Sequence, residues 1–162
     1  MATSLRNAWI LTFATLLVPA VSAAAQATGS VYTNAQVMVI GHKLEATLKT
    51  GAEPSGLLEE KLDDSTRVAV RIKSGRAELH PSATDVFFVL SGEATLISGG
   101  TIVNAQGSGE IRGDSINDGK SIAMHKGDVV HIPPATPHQV IMKAGTTFIY
   151  IVVKIASPQA ER

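Results

Sequence analysis

Beyond Arg67, apolar and polar residues alternate over short stretches, which is the period of a β-strand. In RVAVRIKSG the apolar face is formed by Val68, Val70 and Ile72. The runs DVFFVLSG, EATLISGG, GDVVHIPP, HQVIMKAG and TTFIYIVVKI follow, punctuated by glycine and proline. The segment from Thr101 to Ser121 is rich in Gly, Asn and Ser, and it predicts one weak strand and a long loop. Short strands at this close spacing predict an all-β sandwich or barrel.

One segment ahead of these strands has helical periodicity. Its apolar residues are spaced by three, four and four positions, at Val37, Ile40, Leu44 and Leu48. Thr33 or Asn34 is suited to cap the start of a helix and Gly51 to end it, whereas Gly41 weakens the first half because glycine is a poor helix former. We therefore predict one short N-terminal helix. The next segment, LLEEKLDD, fits a helix or a strand, and its position before a strand run favours a short strand or turn.

The first 25 residues have the three parts of a secretory signal peptide. Arg6 supplies a positive charge, Ala8–Val21 is almost wholly apolar, and Ala23 and Ala25 form a small-residue cleavage site. A retained membrane anchor is the alternative, although the apolar run is shorter than the ~20 residues that span a bilayer. We therefore expect a periplasmic or secreted protein that makes no membrane contact after cleavage.

Cleavage would leave 137 of the 162 residues, which is enough for one domain with a sizeable core. The expected organisation is a signal peptide at 1–25, a lead-in and helix at 26–56, a barrel at 57–155 and a flexible tail at 156–162. The mature chain has 13 basic and 14 acidic residues, so its charge gives no reason to expect nucleic acid as a partner. It has no cysteine, so any metal must be held by His, Asp, Glu or water.

Two histidine-containing stretches have distinctive frames. In GDVVHIPPATPHQVIM a strand ends at Pro133, and a second turn brings His138 to the head of the next strand. In AELHPSATDVFFVLSG, His80 stands five positions before Asp85, which stands seven positions before Gly92. Together the two frames resemble the two motifs of the cupin superfamily, and the chain is similar to its small, single-domain, type-2-like members. The resemblance implies a double-stranded β-helix, which is a jelly-roll barrel, carrying the N-terminal helix.

By this resemblance the metal ligands of the family correspond to Glu78, His80, Asp85 and His138. Glu78 takes a position that is usually histidine, and Asp85 takes one that is usually glutamate. Independently, Glu78 and His80 are two positions apart and so share one face of a strand. Two imidazoles and two carboxylates suit a divalent ion such as Fe(II), Mn(II), Zn(II) or Ni(II). In the alternative interpretation Glu78 points to solvent and pairs with Arg71 or Arg76.

The resemblance implies a protein that binds a small-molecule ligand or substrate at a divalent metal ion in the barrel, as a metal-dependent oxygenase or isomerase. The alternative is a binding or sensing protein without metal turnover. A third interpretation is a structural homodimer whose N-terminal helix region covers a sheet edge. Serine hydrolysis is unsupported, because Ser91 lacks a G-x-S-x-G frame.

Parity along the strands gives the remaining expectations. The residues expected to line the pocket with apolar side chains are Val86, Phe88, Val140 and Met142. His131 lies between Val130 and Ile132, and we expect it to be a satisfied core residue or to support a ligand. We expect the two other histidines, His42 and His125, to lie on the surface.

Overall fold

The computed structural model describes residues 29–157, which form one helix and twelve strands. These elements are α1 (Asn34–Lys49), β1 (Leu57–Lys61), β2 (Thr66–Arg71), β3 (Ala77–Leu79), β4 (Ala83–Ser91), β5 (Glu93–Ser98), β6 (Thr101–Val103), β7 (Ile111–Gly113), β8 (Ser115–Asn117), β9 (Lys120–His125), β10 (Val129–Ile132), β11 (His138–Ile141) and β12 (Phe148–Ala156). All of them belong to a compact unit that begins at Tyr32. The expected signal peptide at 1–25 lies outside the described residues, as does most of the expected tail.

The strands form two antiparallel five-stranded sheets and one two-stranded ribbon. The first sheet has the order β1-β2-β12-β4-β10, the second has the order β7-β3-β11-β5-β9, and the ribbon pairs β6 with β8. Strands distant in sequence are therefore neighbours, with β12 between β2 and β4 and β11 between β3 and β5. This interleaved order is that of a jelly roll, in which two Greek keys form two facing sheets. The prediction of an all-β, cupin-type jelly roll with a short N-terminal helix is confirmed.

The inner faces of the two sheets pack against each other and form the main core. Its buried members are Ala69, Phe87, Val89, Ala94, Leu96, Met124, Ile132, Val140, Met142, Phe148, Tyr150 and Val152. This core fills part of the barrel interior, and some of its members also line a cavity between the sheets.

A second cluster lies on the outer face of the first sheet, beneath α1. Its buried members are Val37, Leu44, Leu48, Val68, Val70 and Ile149. The helix begins with a capping box. The hydroxyl of Thr33 accepts a hydrogen bond from the amide of Gln36, and the amide of Thr33 donates one to Oε1 of Gln36. The helix packs over β2 and over β1, which is an edge strand of this sheet, and the expectation that the helix region covers a sheet edge stays a prediction. Between residues 29 and 157, no helix is both long enough and apolar enough to cross a membrane.

The segment from Thr101 to Ser121 holds more strand structure than expected. It contains β6, β7, β8 and the first residues of β9, instead of one weak strand. Three of these strands are only three residues long, which is too short for an alternation of apolar residues to be recognised. Their tight connections include Asn104 and Asp118 in the left-handed backbone region. The ambiguous segment LLEEKLDD forms the favoured short strand, β1.

Candidate functional site

The two histidine-containing stretches come together through backbone pairing. In the second sheet β3 and β11 are antiparallel neighbours, and their register places His138 directly opposite Glu78. The amide of Ala135 donates a hydrogen bond to the carbonyl of His80, with an N···O distance of 2.8 Å. A turn at Pro81 and Ser82 then leads into β4 and Asp85. All four expected ligand residues therefore lie at one end of the barrel, held by strands of both sheets.

Three of the four residues lie close enough together that they could hold a metal ion. One donor atom each of Glu78, His80 and His138 lies within 4.8 Å of the other two. The Nε2 atom of His80 is 3.7 Å from Oε2 of Glu78. The two imidazole rings have centroids 5.3 Å apart and are tilted by 52°. A carboxylate and two imidazoles are a donor set that divalent transition metals accept.

Polar neighbours lie at the Nδ1 atoms of the two histidines. The Nδ1 atom of His138 lies 3.0 Å from the carbonyl of Thr136, which can only accept, so Nε2 keeps its lone pair for the site. Burial lowers the pKa of His138 below its ordinary value, which favours the neutral imidazole that binds metals. The Nδ1 atom of His80 faces Oε1 of Glu110 at 3.4 Å. Such outer partners fix the direction in which a ligand presents its donor atom.

Asp85, the fourth expected ligand, is paired with a cation of the chain itself. Its side chain is buried, and both of its oxygens accept hydrogen bonds from Nζ of Lys154, at 2.8 and 2.9 Å. The same ammonium lies 2.9 Å from Nε2 of His80. Burial alone would raise the pKa of Asp85, but the interactions with the neighbouring His80 and Lys154 outweigh it and the pKa lies below its ordinary value. Asp85 is therefore an ionised carboxylate whose negative charge is already balanced by the ammonium of Lys154.

Lys154 has a place at the site that the motifs do not predict. It lies on β12 directly opposite Asp85 on β4. Its sequence signal is a single charge within the apolar strand FIYIVVKIA, at the same parity as the buried Tyr150 and Val152. A lysine at an inward-facing position of a core strand must have a buried partner. That partner is the carboxylate of Asp85.

Glu78 points into the site and not to solvent. Its Oε1 atom accepts from Nη1 of Arg112 at 3.1 Å and lies 3.9 Å from Nη2 of Arg71. Of the two arginines proposed as alternative partners, Arg71 is therefore near Glu78, whereas Arg76 instead faces Asp114 at 3.9 Å. Arg112 was missed in the sequence because it lies in the segment expected to be a loop. It also contacts Glu110 at 2.9 Å, and the pair closes one side of the site.

A cavity of about 230 Å³ opens between the sheets beside this cluster. The side chains that line it are Leu57, Glu59, Arg67, Arg71, Arg76, Glu78, Asp85, Phe87, Glu110, Arg112, His138, Gln139, Val140, Tyr150, Val152 and Lys154. Its volume is below the about 300–1,000 Å³ of pockets that hold drug-sized ligands. The cavity therefore suits a ligand of few atoms.

Part of the expected apolar wall faces the other way. Phe87 lines the cavity, whereas Phe88 is exposed and Val86 is half-buried outside the lining. The reason is the parity of β4, since Asp85 points inward and the residues two and four positions further must do so too. Val140 lines the cavity as expected. Met142 is buried in the core outside the cavity lining.

The three other histidines lie outside the cluster. His131 is exposed on β10, so the expectation of a core or supporting role is wrong. It pairs across the sheet with Val86, on the face of β4 that points away from the barrel interior. His42 and His125 are exposed as expected.

Comparison with known proteins gives structural similarities of low sequence identity and leaves the activity open. No family model matches this chain, and no curated protein sequence matches it. Among solved structures it is similar to a cupin protein from Bacteroides fragilis, with 13% identity, a TM-score of 0.42, and coverage of 68% of this chain and 85% of that chain. It is also similar to a sugar phosphate isomerase from a cupin superfamily, from Silicibacter pomeroyi, with 15% identity, a TM-score of 0.46, and coverage of 64% and 61%.

A third similar structure is a protein from Thermotoga maritima described as a predicted oxalate decarboxylase. Its identity is 15% and its TM-score is 0.42, and the match covers 56% of this chain and 64% of that chain. The chain thus spans less than two thirds of the length of this protein and of the isomerase. With its interleaved sheets and its two motifs at one barrel end, the chain has a cupin fold.

Proposed function

We propose that this protein binds a small molecule in its barrel cavity at a divalent metal ion held by Glu78, His80 and His138, with Asp85 adjoining as a fourth ligand. The observation that carries the proposal is the approach of the first three donors to within 4.8 Å of one another, with Glu78 and His138 lining the cavity. The donor set fits the group, since imidazole and carboxylate are the ligands that Fe(II), Mn(II), Zn(II) and Ni(II) accept.

Metal-dependent oxygenase and isomerase are the two reaction classes that this site supports. A bound divalent ion would act as a Lewis acid toward an oxygen atom of the ligand. The chain's own groups supply the rest: Thr136 and Glu110 hold the two imidazoles, and Arg112 holds Glu78. Phe87 and Val140 add apolar walls that limit the access of water. Lys154 lies at the cavity wall, within reach of a ligand atom.

A second candidate function is binding or sensing of a small molecule without metal. The contact of Lys154 with both Asp85 and His80 favours it, because the ammonium already neutralises the buried carboxylate. A metal ion that used Asp85 or Nε2 of His80 would have to displace the lysine. The side chain of Lys154 is 32% exposed, so it has solvent into which it can move.

Export and self-association are separate proposals. Export to the periplasm or medium rests on the sequence of residues 1–25 alone. A homodimer is supported by the exposed apolar side chains of Phe88 and Val129, which are cross-strand partners on the outer face of β4 and β10. Exposed neighbours of this kind mark surfaces that contact other molecules.

Metal content and metal-dependent stability test the proposed function. The mature protein, purified without chelator, should contain about one divalent ion per chain, and adding Mn(II), Fe(II), Zn(II) or Ni(II) to the stripped protein should raise its Tm. His138→Ala should abolish both effects, and the matched control His131→Ala should keep them. Absence of metal together with an unchanged Tm would leave the metal-free function as the correct one.

A further inference from the structure

Strand β2 presents its charged residues to the barrel interior and its apolar residues to the outside. Val68 and Val70 are fully buried beneath α1. Residues of the opposite parity therefore point between the sheets, and Arg67 and Arg71 both line the cavity. The arrangement is the reverse of the usual one, in which arginines take the solvent face of a strand. Two arginines inside a small barrel need counter-charges or an anionic ligand.

Arg67 lacks a full set of partners. Its Nη1 atom is buried and has no hydrogen-bond partner among residues 29–157. The carboxylate nearest to it in an ion pair is that of Glu59, whose Oε2 lies 3.8 Å from Nε. The guanidinium of Arg67 lines the cavity, and none of the hydrogen bonds found among residues 29–157 involves it, so its donors other than the enclosed Nη1 are available to an anionic ligand. Arg67 is opposite Val152 on β12, two positions from Lys154, so this place adjoins the cluster of Glu78, His80 and His138.

Arg71 is fixed in the same cavity. Its side chain is buried, and its Nε donates to the hydroxyl of Tyr150 at 3.2 Å. Gly75 leaves room for its guanidinium, since a Cβ atom at that position would lie 2.6 Å from Nη1. The carboxylate of Glu78 is 3.9 Å from Nη2, which is longer than a hydrogen bond. The second arginine is therefore held in place through Nε, and none of the hydrogen bonds found among residues 29–157 uses its terminal donors.

The charge and size of the cavity define what would bind. Five cationic side chains line it: Arg67, Arg71, Arg76, Arg112 and Lys154. Four carboxylates also line it: Glu59, Glu78, Asp85 and Glu110. One positive charge is left over before any metal ion is counted, and a divalent ion would add two more, so an anionic ligand is favoured. Among anions, a planar carboxylate matches the fork of an arginine.

We propose that the cavity is a binding site for a small carboxylate, with Arg67 as the anchor of the carboxylate group and Arg71 as the second recognition residue. This inference rests on the proposed function, in which the other end of the ligand lies at the metal ion. With its carboxylate on Arg67, the ligand extends towards Glu78, His80 and His138. The volume of about 230 Å³ restricts it to a molecule of few heavy atoms.

NMR titration of the mature protein with formate, acetate, glycolate and pyruvate tests the inference, with acetamide and pyruvamide as neutral controls and inorganic phosphate as the other anion. At least one carboxylate should bind, and its amide should bind at least tenfold more weakly. Arg67→Met should weaken carboxylate binding at least tenfold, and Arg67→Lys should weaken it less because the charge remains. Arg71→Met should also weaken it, whereas Lys120→Met, at an exposed position on β9, should not.

Binding of no carboxylate, tighter binding of phosphate, or unchanged affinity in a folded Arg67→Met variant would overturn the inference. Thermal unfolding of each variant shows whether it is folded, and Arg67→Lys remains informative if Arg67→Met is not. Metal affinity, measured in the same samples, should be equal in the wild type and in Arg67→Met. A protein that binds metal and no carboxylate refutes this inference alone, and one that binds carboxylate and no metal refutes the metal site alone.

Discussion

The ammonium of Lys154 lies 2.8 and 2.9 Å from the two carboxylate oxygens of Asp85, its cross-strand neighbour. The contact joins β12 to β4 at the end of the barrel where the candidate ligands meet. It places a cation of the chain beside two of the four residues that the cupin motifs assign to metal binding. Lysine and a metal ion are therefore competitors for Asp85 and His80, and the affinity of the site depends on that competition.

Lys154→Met should increase the affinity for a divalent metal at least about tenfold, which corresponds to about 1.4 kcal/mol. The wild-type protein must break charge-assisted hydrogen bonds, each worth about 1.5–3 kcal/mol, before Asp85 and His80 are free. The variant has no such bonds to break, and its uncompensated carboxylate attracts the metal. Isothermal titration with Zn(II) or Ni(II) measures the difference.

The control for this change is Lys143→Met, which removes an exposed lysine from outside the cavity lining and should leave the affinity unchanged. Equal or weaker metal binding by Lys154→Met would mean that the lysine does not compete with the metal. Because the variant leaves Asp85 buried without its partner, it should also unfold at a lower temperature when metal is absent, and added metal should reverse this loss.

Gly41→Ala should destabilise the protein although alanine is the better helix former. A Cβ atom at residue 41 would lie 2.8 Å from Cγ2 of Ile149, which is buried in the cluster under α1. Overpacking of this kind costs about 1–3 kcal/mol, and the gain in helix propensity offsets about 1 kcal/mol. Urea unfolding should therefore give a loss of up to about 2 kcal/mol. Val39→Ala, on the exposed side of the same helix, should be neutral or slightly stabilising, and a stabilised Gly41→Ala would show that the helix can shift.

Ala135→Gly should stabilise the fold by about 0.5–1 kcal/mol. Ala135 takes the usual glycine position of the second motif and has φ of 56°, in the left-handed region. That conformation costs an alanine about 1–2 kcal/mol, and glycine avoids this cost. Glycine also has more conformational freedom in the unfolded state, which offsets about 0.5–1 kcal/mol of the gain. Ala123→Gly in strand β9 has no strain to relieve and should destabilise by about 0.5–1 kcal/mol. Equal losses in both variants would show that Ala135 is unstrained.

The stability added by Glu45 should disappear in acid. Hydrogen bonds from Lys49 and Thr147 hold the pKa of Glu45 below its ordinary value of 4.5. A carboxylate with a lowered pKa in the folded state stabilises the protein above that ordinary value and ceases to do so as the pH falls through the folded pKa. Glu45→Gln should therefore cost about 1 kcal/mol at pH 7 and progressively less below pH 4.5. Urea unfolding across this range checks the trend.

The control is Glu93→Gln, which changes an exposed residue at the start of β5 and should show no such convergence. If the cost of Glu45→Gln were the same at pH 7 and pH 3, the link from α1 to Thr147 would not depend on the charge of Glu45.

The sequence predicts the barrel well because its evidence is local. Two motif frames and the alternation of short strands are enough for the jelly roll, and the three-four spacing from Val37 to Leu48 is enough for the helix. The frames also predict that Glu78, His80 and His138 lie close together, since residues at strand ends next to tight turns meet at the same barrel end. The structure brings these three together, and their role as metal ligands stays a prediction.

Residues that face the cavity from the strands were missed because their direction depends on tertiary packing. The arginines of β2 look like solvent-facing residues until α1 is known to cover Val68 and Val70. Lys154 is recognisable in sequence only as an isolated charge in an apolar strand. The expectation that Phe88 lines the pocket could have been avoided from the sequence. If Asp85 points inward, Phe87 must point inward too and Phe88 must point outward.

The most direct test of the account is anomalous X-ray diffraction from crystals of the mature protein grown with Mn(II), Zn(II) or Ni(II). We expect one anomalous peak at the barrel end, about 2.0–2.2 Å from Nε2 of His80, Nε2 of His138 and an oxygen of Glu78, with Lys154 moved away from His80. No peak at saturating metal, with the Lys154 ammonium still between Asp85 and His80, would contradict it.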